Sequence, residues 1–187
     1  MQNSSNNKIL DKLNSMQKLK NNHNFWNITW ELGVILSEFV SLKNPKEILE
    51  IGTSNGFSTL WMALNLKQNS NITTIEINSD RFEIAKKNFQ DTGLKNITSL
   101  NGDVFEILEN YSFGNKFDFV FIDAGQKFYS DIFENLKSKV LLNENSIIIF
   151  DNINSHKHME SFIKHIEFDF KFDIININSG FLVIYFN

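Results

Sequence analysis

Cysteine is absent from this 187-residue chain, which excludes disulfides, thiolate metal sites and a cysteine nucleophile and fits a reducing compartment. Long apolar runs are absent too: none approaches the roughly 18 residues of a membrane span, and the Asn-, Ser- and Lys-rich amino terminus has no apolar stretch of the secretory kind. A soluble, cytoplasmic protein is expected. Proline occurs once and glycine 8 times, and neither a repeat nor a low-complexity linker divides the chain. A single domain over 1–187 is therefore expected, with helices in 1–46 and an α/β core in 47–187. Its hydrophobic content of 42% supports a substantial core, to which the 19 phenylalanines are assigned as filler. A net charge of −4 argues against a broad nucleic-acid footprint, although Lys8, Lys12, Lys18 and Lys20 make the amino-terminal arm locally basic.

What the chain does contain is an alternation of short apolar runs and amphipathic stretches. Glu47 to Gly52, Asn71 to Ile77, Ile97 to Asp103, Phe117 to Asp123 and Ser146 to Asp151 read as buried strands rich in Ile, Val or Phe. Between them, Asp80 with Glu83 resembles a capping box, Phe82, Ala85 and Phe89 make an apolar stripe, and Gly93 is a stop signal. Phe128, Ile132, Phe133 and Leu136 form a second stripe, and Met159, Phe162, Ile163 and Ile166 a third. Upstream, Ile9, Leu13 and Met16 predict one helix, and Leu32, Ile35, Leu36 and Phe39 another before Pro45. Phe172 to Ile177 and Phe181 to Phe186 flank Asn178-Ser179-Gly180, a turn that favours an antiparallel hairpin. Five βα units and a terminal hairpin define an open α/β sheet with one antiparallel strand and, by the right-handed crossover rule, helices on both faces.

Polar residues gather where the strands run out. Asp123 ends one strand and Asp151-Asn152 another, and parallel strands share one rim at their carboxyl ends. Three oxygen ligands there, two of them charged, suit a hard divalent cation such as Mg²⁺. The loop Glu50-Ile-Gly52-Thr-Ser-Asn-Gly56-Phe-Ser58 lacks the G-x-G-x-x-G spacing of a dinucleotide fingerprint and the Gly-Lys-Ser/Thr ending of a P-loop. Glu50, Glu76, Asp103 and Asp123 make the surrounding rim acidic, which repels phosphates and attracts a cation bearing hydroxyl and amino donors. S-adenosylmethionine is such a ligand. Glu76 is placed to accept both ribose hydroxyls, Asp103 the adenine amine, and Ser58 with its neighbouring N–H groups to hold the methionine carboxylate. The plainer alternatives are an N-cap for Ser58 and solvated strand-end charges for Glu76 and Asp103.

From about Trp26 onward the chain resembles the class I S-adenosylmethionine-dependent O-methyltransferases of the catechol and caffeoyl-coenzyme A group. The motifs that carry the resemblance are Glu50 to Ser58, Ile75-Glu76, Gly102-Asp103, Phe121-Ile-Asp-Ala124 and Asp151-Asn152, with Ile28 to Gly33 as the lead-in to the first strand. The resemblance implies a Rossmann-like, seven-stranded methyltransferase sheet. It implies a site in which Asp123, Asp151 and Asn152 bind Mg²⁺, while Glu50, Gly52, Gly56, Ser58, Glu76, Asp103 and Asp123 hold the cofactor. The implied reaction is transfer of a methyl group to a hydroxyl of a small catechol-like or vicinal-oxygen acceptor. The group usually places a catalytic lysine three residues after the first metal aspartate, but here that position is Gln126 and the lysine is Lys127. One residue at a helix start turns a side chain by about 100°, so Lys127 is either a displaced general base or a surface lysine.

Three readings from different classes follow. The first is the metal-assisted small-molecule O-methyltransferase. The second is a tRNA-modifying methyltransferase acting on a hydroxylated uridine, with the basic arm as its support. The third is a non-catalytic nucleoside-binding module or a nicotinamide-dependent reductase, the latter disfavoured because no tyrosine is followed four residues later by lysine. His23, His156, His158 and His165 lack metal-ligand spacing and are read as solvent-facing. Relatives in the group dimerise, and the Trp26/Trp30 region is the apolar surface available for a homodimer.

Overall fold

A computed structural model describes residues 2–19, 25–155 and 157–187. Two helices, α1 (Gln2–Leu19) and α2 (Trp30–Lys43), precede the sheet. The Thr29 side chain caps α2 by accepting from the Leu32 N–H, and Asn44 ends it in the left-handed conformation, one residue before Pro45. There follow β1 (Glu47–Ile51), α3 (Phe57–Leu64), β2 (Asn71–Glu76), α4 (Ser79–Thr92), β3 (Ile97–Asn101), α5 (Val104–Asn110), β4 (Phe117–Ile122), α6 (Tyr129–Ser138), β5 (Leu142–Phe150), α7 (Lys157–Ile166), β6 (Lys171–Ile175) and β7 (Phe181–Phe186).

The strands lie in the order β3-β2-β1-β4-β5-β7-β6. β1 to β5 pair in parallel, and β7 runs antiparallel between β5 and β6. Side-chain alternation along the central strands splits the core in two. Ile48, Phe119, Phe121 and Ile149 face a layer built by α1 to α4. Leu49, Val120, Ile122 and Ile148 face a layer built by α5, α6 and α7. A strand buried on both faces has no polar side to alternate with, which is why these segments read as continuous apolar runs.

Three boundaries differ from the sequence reading. α4 is capped by Asn78, whose side chain accepts from the Arg81 N–H at 2.9 Å, so Asp80 sits in the first turn rather than in a capping box. β5 begins at Leu142, not Ser146: between its pairs with Phe117 and Phe119 the register shifts, and Asn145 turns to φ 62°. The polar run Asn143-Glu144-Asn145 is accommodated by that bulge, with the Ser146 hydroxyl bonded to the Phe117 carbonyl at 2.9 Å. α5 is implied by the five βα units, but the sequence reading assigned it no residues. Its signal is Asp103-Val-Phe-Glu106, an acidic N-cap with Glu three residues on.

Candidate active site

The strand order reverses between β1 and β4, so the connections leaving these two strands diverge and leave a crevice at their carboxyl ends. A cavity of about 790 Å³ opens there, in the range of small-molecule sites. Gly52 and Asp123 meet at its floor. Gly52 has φ 102°, and a Cβ on it would fall 2.0 Å from the Asp123 carbonyl oxygen, so only glycine lets the two strand ends approach this closely.

Around the floor, Asp123, Asp151 and Asn152 converge. The Asn152 amide donates to Asp123 Oδ1 at 3.0 Å and to Asp151 Oδ2 at 2.9 Å. Asn152 reaches this position with φ 62°, a conformation asparagine tolerates. The Ser179 hydroxyl donates to the other Asp151 oxygen at 2.8 Å, and the buried Tyr129 hydroxyl to the Asp151 carbonyl at 3.2 Å. Burial, then the Asp151 and Glu50 carboxylates, hold Asp123 well above the usual carboxylate range, against the opposing Asn152 hydrogen bond. Burial likewise raises Asp151, opposed by the Asn152 N–H and the Ser179 hydroxyl. Two neighbouring acids that resist ionisation side by side are the electrostatic mark of a place that a cation suits.

The three side chains fit a hard divalent ion. The amide nitrogen already lies within hydrogen-bond reach of both carboxylates, and half a turn of the amide exchanges it for an oxygen. The donor set is then two carboxylates and an amide oxygen, with room for water or substrate oxygens from the cavity. No group of three or more His, Cys, Asp and Glu side chains is so arranged among the described residues.

The predicted cofactor residues divide. Gly52, Glu76, Asp103 and Asp123 line the cavity. Glu76 is pinned by the N–H groups of Ser54 at 2.7 Å and Asn78 at 2.8 Å, one on each oxygen, leaving further lone pairs on both. Asp103 lines the cavity and also caps α5, accepting from the Phe105 and Glu106 N–H groups. Glu50, Gly56 and Ser58 lie outside the cavity wall. Glu50 is fully buried behind the loop, where it accepts from Ser58 at 2.5 Å, from Thr74 at 2.6 Å and from Thr59. Burial, partly offset by these hydroxyls, raises its pKa to about 7. The Ser58 hydroxyl is thus turned inward to Glu50, away from the cavity, and the N-cap position of α3 is Gly56 rather than Ser58. Gly56 precedes α3 with φ 86°, and a Cβ on it would strike the Phe89 ring of α4 at 2.5 Å, so the position requires glycine.

The Lys127 alternative resolves toward the surface. Its ammonium lies over the Phe128 ring, 4.7 Å from the centroid, and it lines a separate small pocket with Ser130, Ser161 and His165. Gln126 is the residue that lines the main cavity, donating to the Asn152 carbonyl at 3.3 Å. A one-residue step on the short 3₁₀ turn Gln126–Phe128 separates the two directions.

Sequence reasoning missed several wall residues. Asn27 and Ser54 line the cavity, and the amide nitrogen and oxygen of Asn27 and the hydroxyl of Ser54 are buried without protein partners among the described residues. Such orphaned groups point to a polar ligand. Arg81, Phe105, Phe128 and Ser179 complete the missed set, and the Arg81 guanidinium stacks on the exposed Trp26 ring at 5.8 Å from its centroid. Trp30 packs edge-on against Trp61 at 4.8 Å, so the apolar surface expected from this pair reduces to Trp26. His23 and His156 and the side chain of His158 lie outside the described residues. His165 bonds Glu134 at 3.1 Å. No helix among the described residues is long and apolar enough to cross a membrane.

Comparison with known proteins identifies the family and the fold. A sequence profile described as O-methyltransferase matches residues 1–161. The chain is similar to a catechol O-methyltransferase of Niastella koreensis, at 32% identity over 124 residues, which is 65% of this chain and 55% of that protein. It spans about half the length of the curated relatives it matches. Among solved structures, an O-methyltransferase from Bacillus cereus in complex with SAH superposes with a TM-score of 0.80 at 23% identity, over 98% of this chain and 91% of that one. The O-methyltransferase TomG from Streptomyces achromogenes, in complex with SAM, gives 0.81 at 20% identity over 96% and 90%. At these identities the two structures share the fold.

Proposed function

The chain belongs to the O-methyltransferase family, and on that premise we propose that it transfers a methyl group from S-adenosylmethionine to a hydroxyl of a small catechol-like or vicinal-oxygen acceptor, assisted by a divalent cation such as Mg²⁺. The observation that carries this reading is the meeting of Asp123, Asp151 and Asn152 beside Gly52 on the floor of one cavity. When bound, the cofactor supplies the methyl group and the cation acidifies a coordinated hydroxyl.

The chain's own residues supply alignment. Glu76, fixed by two backbone N–H groups, has the spare acceptor capacity that a ribose diol needs. Asp103 stands on the same wall with acceptor oxygens for an adenine amine, and the unpartnered Asn27 and Ser54 groups offer donors and acceptors to the rest of the cofactor. No lysine or histidine lines the cavity among the described residues, and the Gln126 amide cannot take a proton. That favours an acceptor whose hydroxyl is already acidic, as a catechol's is. The tRNA alternative loses part of its support, since Lys12 of the basic arm is bound to Asp91 of α4 at 2.5 Å; Lys20 lies outside the described residues.

Asp151→Ala tests the reading. Turnover of catechol that depends on Mg²⁺ is expected to disappear while the affinity for S-adenosylhomocysteine, measured by calorimetry, stays near that of the unaltered protein. Equal turnover in excess chelator would overturn the cation assignment.

A further inference from the structure

The turn between β6 and β7, Asn178-Ser179-Gly180, is fastened to the cavity from two sides. On one, the Ser179 hydroxyl donates to Asp151 Oδ1 at 2.8 Å. On the other, the Asn178 amide donates at 2.9 Å to the Thr29 hydroxyl, which caps α2 and lines the cavity. The turn itself is bound to the segment after β5: the Asn154 N–H donates to the Ser179 carbonyl at 2.9 Å and its side-chain amide to the Asn178 carbonyl at 3.2 Å. Gly180, with φ 77°, lies so close that a Cβ would meet the Asn154 amide at 2.7 Å and Ile153 at 2.8 Å.

From this geometry we infer that Ser179 is a positioning residue for the cation site: by holding Asp151 Oδ1, it turns Oδ2 toward the point shared with Asp123 and Asn152. The inference rests on the cation reading above. Without Ser179, the Asp151 carboxylate is held only by groups of the adjoining Asn152, its amide and its N–H, with no anchor from another segment. With Oδ1 tied to a hydroxyl on a turn that is itself bolted in place, Oδ2 has one direction left. The bond from the Ser179 hydroxyl to Asp151 Oδ1 is the route by which it acts on the site. Removing a group that orients a metal ligand typically weakens metal affinity by about 10- to 100-fold.

Binding of Mn²⁺ alone, followed by the electron paramagnetic resonance signal of the free ion, tests this without turnover. Ser179→Ala is expected to raise the Mn²⁺ dissociation constant about 10-fold, and Ser179→Thr, which keeps the hydroxyl, to retain most of the affinity. Asn178→Ala, which cuts one tie of the turn but leaves the Ser179 hydroxyl in place, is expected to weaken Mn²⁺ binding less than Ser179→Ala does, and all three variants to keep the affinity of the unaltered protein for S-adenosylhomocysteine. Undiminished Mn²⁺ affinity in Ser179→Ala overturns the inference and leaves the cation reading standing. So does loss of S-adenosylhomocysteine binding in that variant, or an equal loss of Mn²⁺ in the threonine or Asn178 variant, since either reduces Ser179 to a packing role. Absence of Mn²⁺ binding in the unaltered protein overturns the cation reading and the inference together.

Discussion

Glu50 is a fully buried acid whose partners are three hydroxyl groups rather than a base. Its pKa of about 7 in the fold compares with 4.5 for the free side chain. Between these values the folded protein keeps a proton that the unfolded chain has lost, so the stability due to this group is fully present below about 4.5 and is lost as pH rises toward about 7. Asp123 and Asp151, also raised, act in the same sense. Glu50→Gln, neutral throughout, is expected to flatten the fall of the urea midpoint over that window, measured without added cation or cofactor; a fall as steep as before would show that Glu50 ionises normally. Of the acidic residues that the sequence reading placed around the loop, Glu76, Asp103 and Asp123 line the cavity and Glu50 lies buried behind it. Glu50 and Ser58 point at each other, and of the two residues that open the turn after Asp123, Gln126 lines the cavity while Lys127, left open between a displaced base and a surface lysine, is exposed over the Phe128 ring. A side chain's direction depends on the phase of the local turn, which residue type does not encode.

Among the elements, α4 shows how a local signal slips by a short distance. Asp80 and Glu83 imitate a capping box, yet the chain leaves β2 early enough for Asn78 to take the cap, because the Asn78 N–H is also needed by Glu76. Asn78→Ala is expected to cost about 1 kcal/mol and to lower the melting temperature measurably. Asp80→Ala, which removes only a first-turn charge from the helix dipole, is expected to cost less, about 0.3 to 1 kcal/mol. Equal losses in both would return the cap to Asp80. The apolar stripes of α1, α2, α6 and α7 were legible because a period of 3.6 over two or more turns is a strong pattern. α5, seven residues long, is too short to display one, and the start of β5 is hidden by a polar bulge.

For the whole molecule, the decisive feature is the reversal of strand order at β1 and β4, which brings Gly52, Asp123 and Asp151 to one crevice from segments up to a hundred residues apart. A ligand that binds only the folded chain raises the melting temperature by linkage, with about 2.7 kcal/mol gained at a concentration about 100 times the dissociation constant, and this is the effect expected of both proposed ligands. In differential scanning fluorimetry, S-adenosylhomocysteine and Mn²⁺ should each give an upward shift. Asp151→Ala should abolish the Mn²⁺ shift and keep the other. Loss of both shifts together would mean that Asp151 supports the fold of the cavity rather than a cation.

The sequence by itself determined the class of fold, the order of strands and helices along the chain, the terminal hairpin and the identity of the acids at the strand ends, because apolar periodicity and turn chemistry are local properties written over a few residues each. Only the tertiary structure decided which of those residues share a cavity. Gly56 meets Phe89 of α4, Glu50 meets Thr74 of β2 as well as the nearby Ser58 and Thr59, and Ser179 meets Asp151, and the first, second and last of these contacts join segments that come together only when the sheet is assembled. The phase of the local turn and packing against residues of other elements together set whether a polar side chain looks into the crevice or away from it.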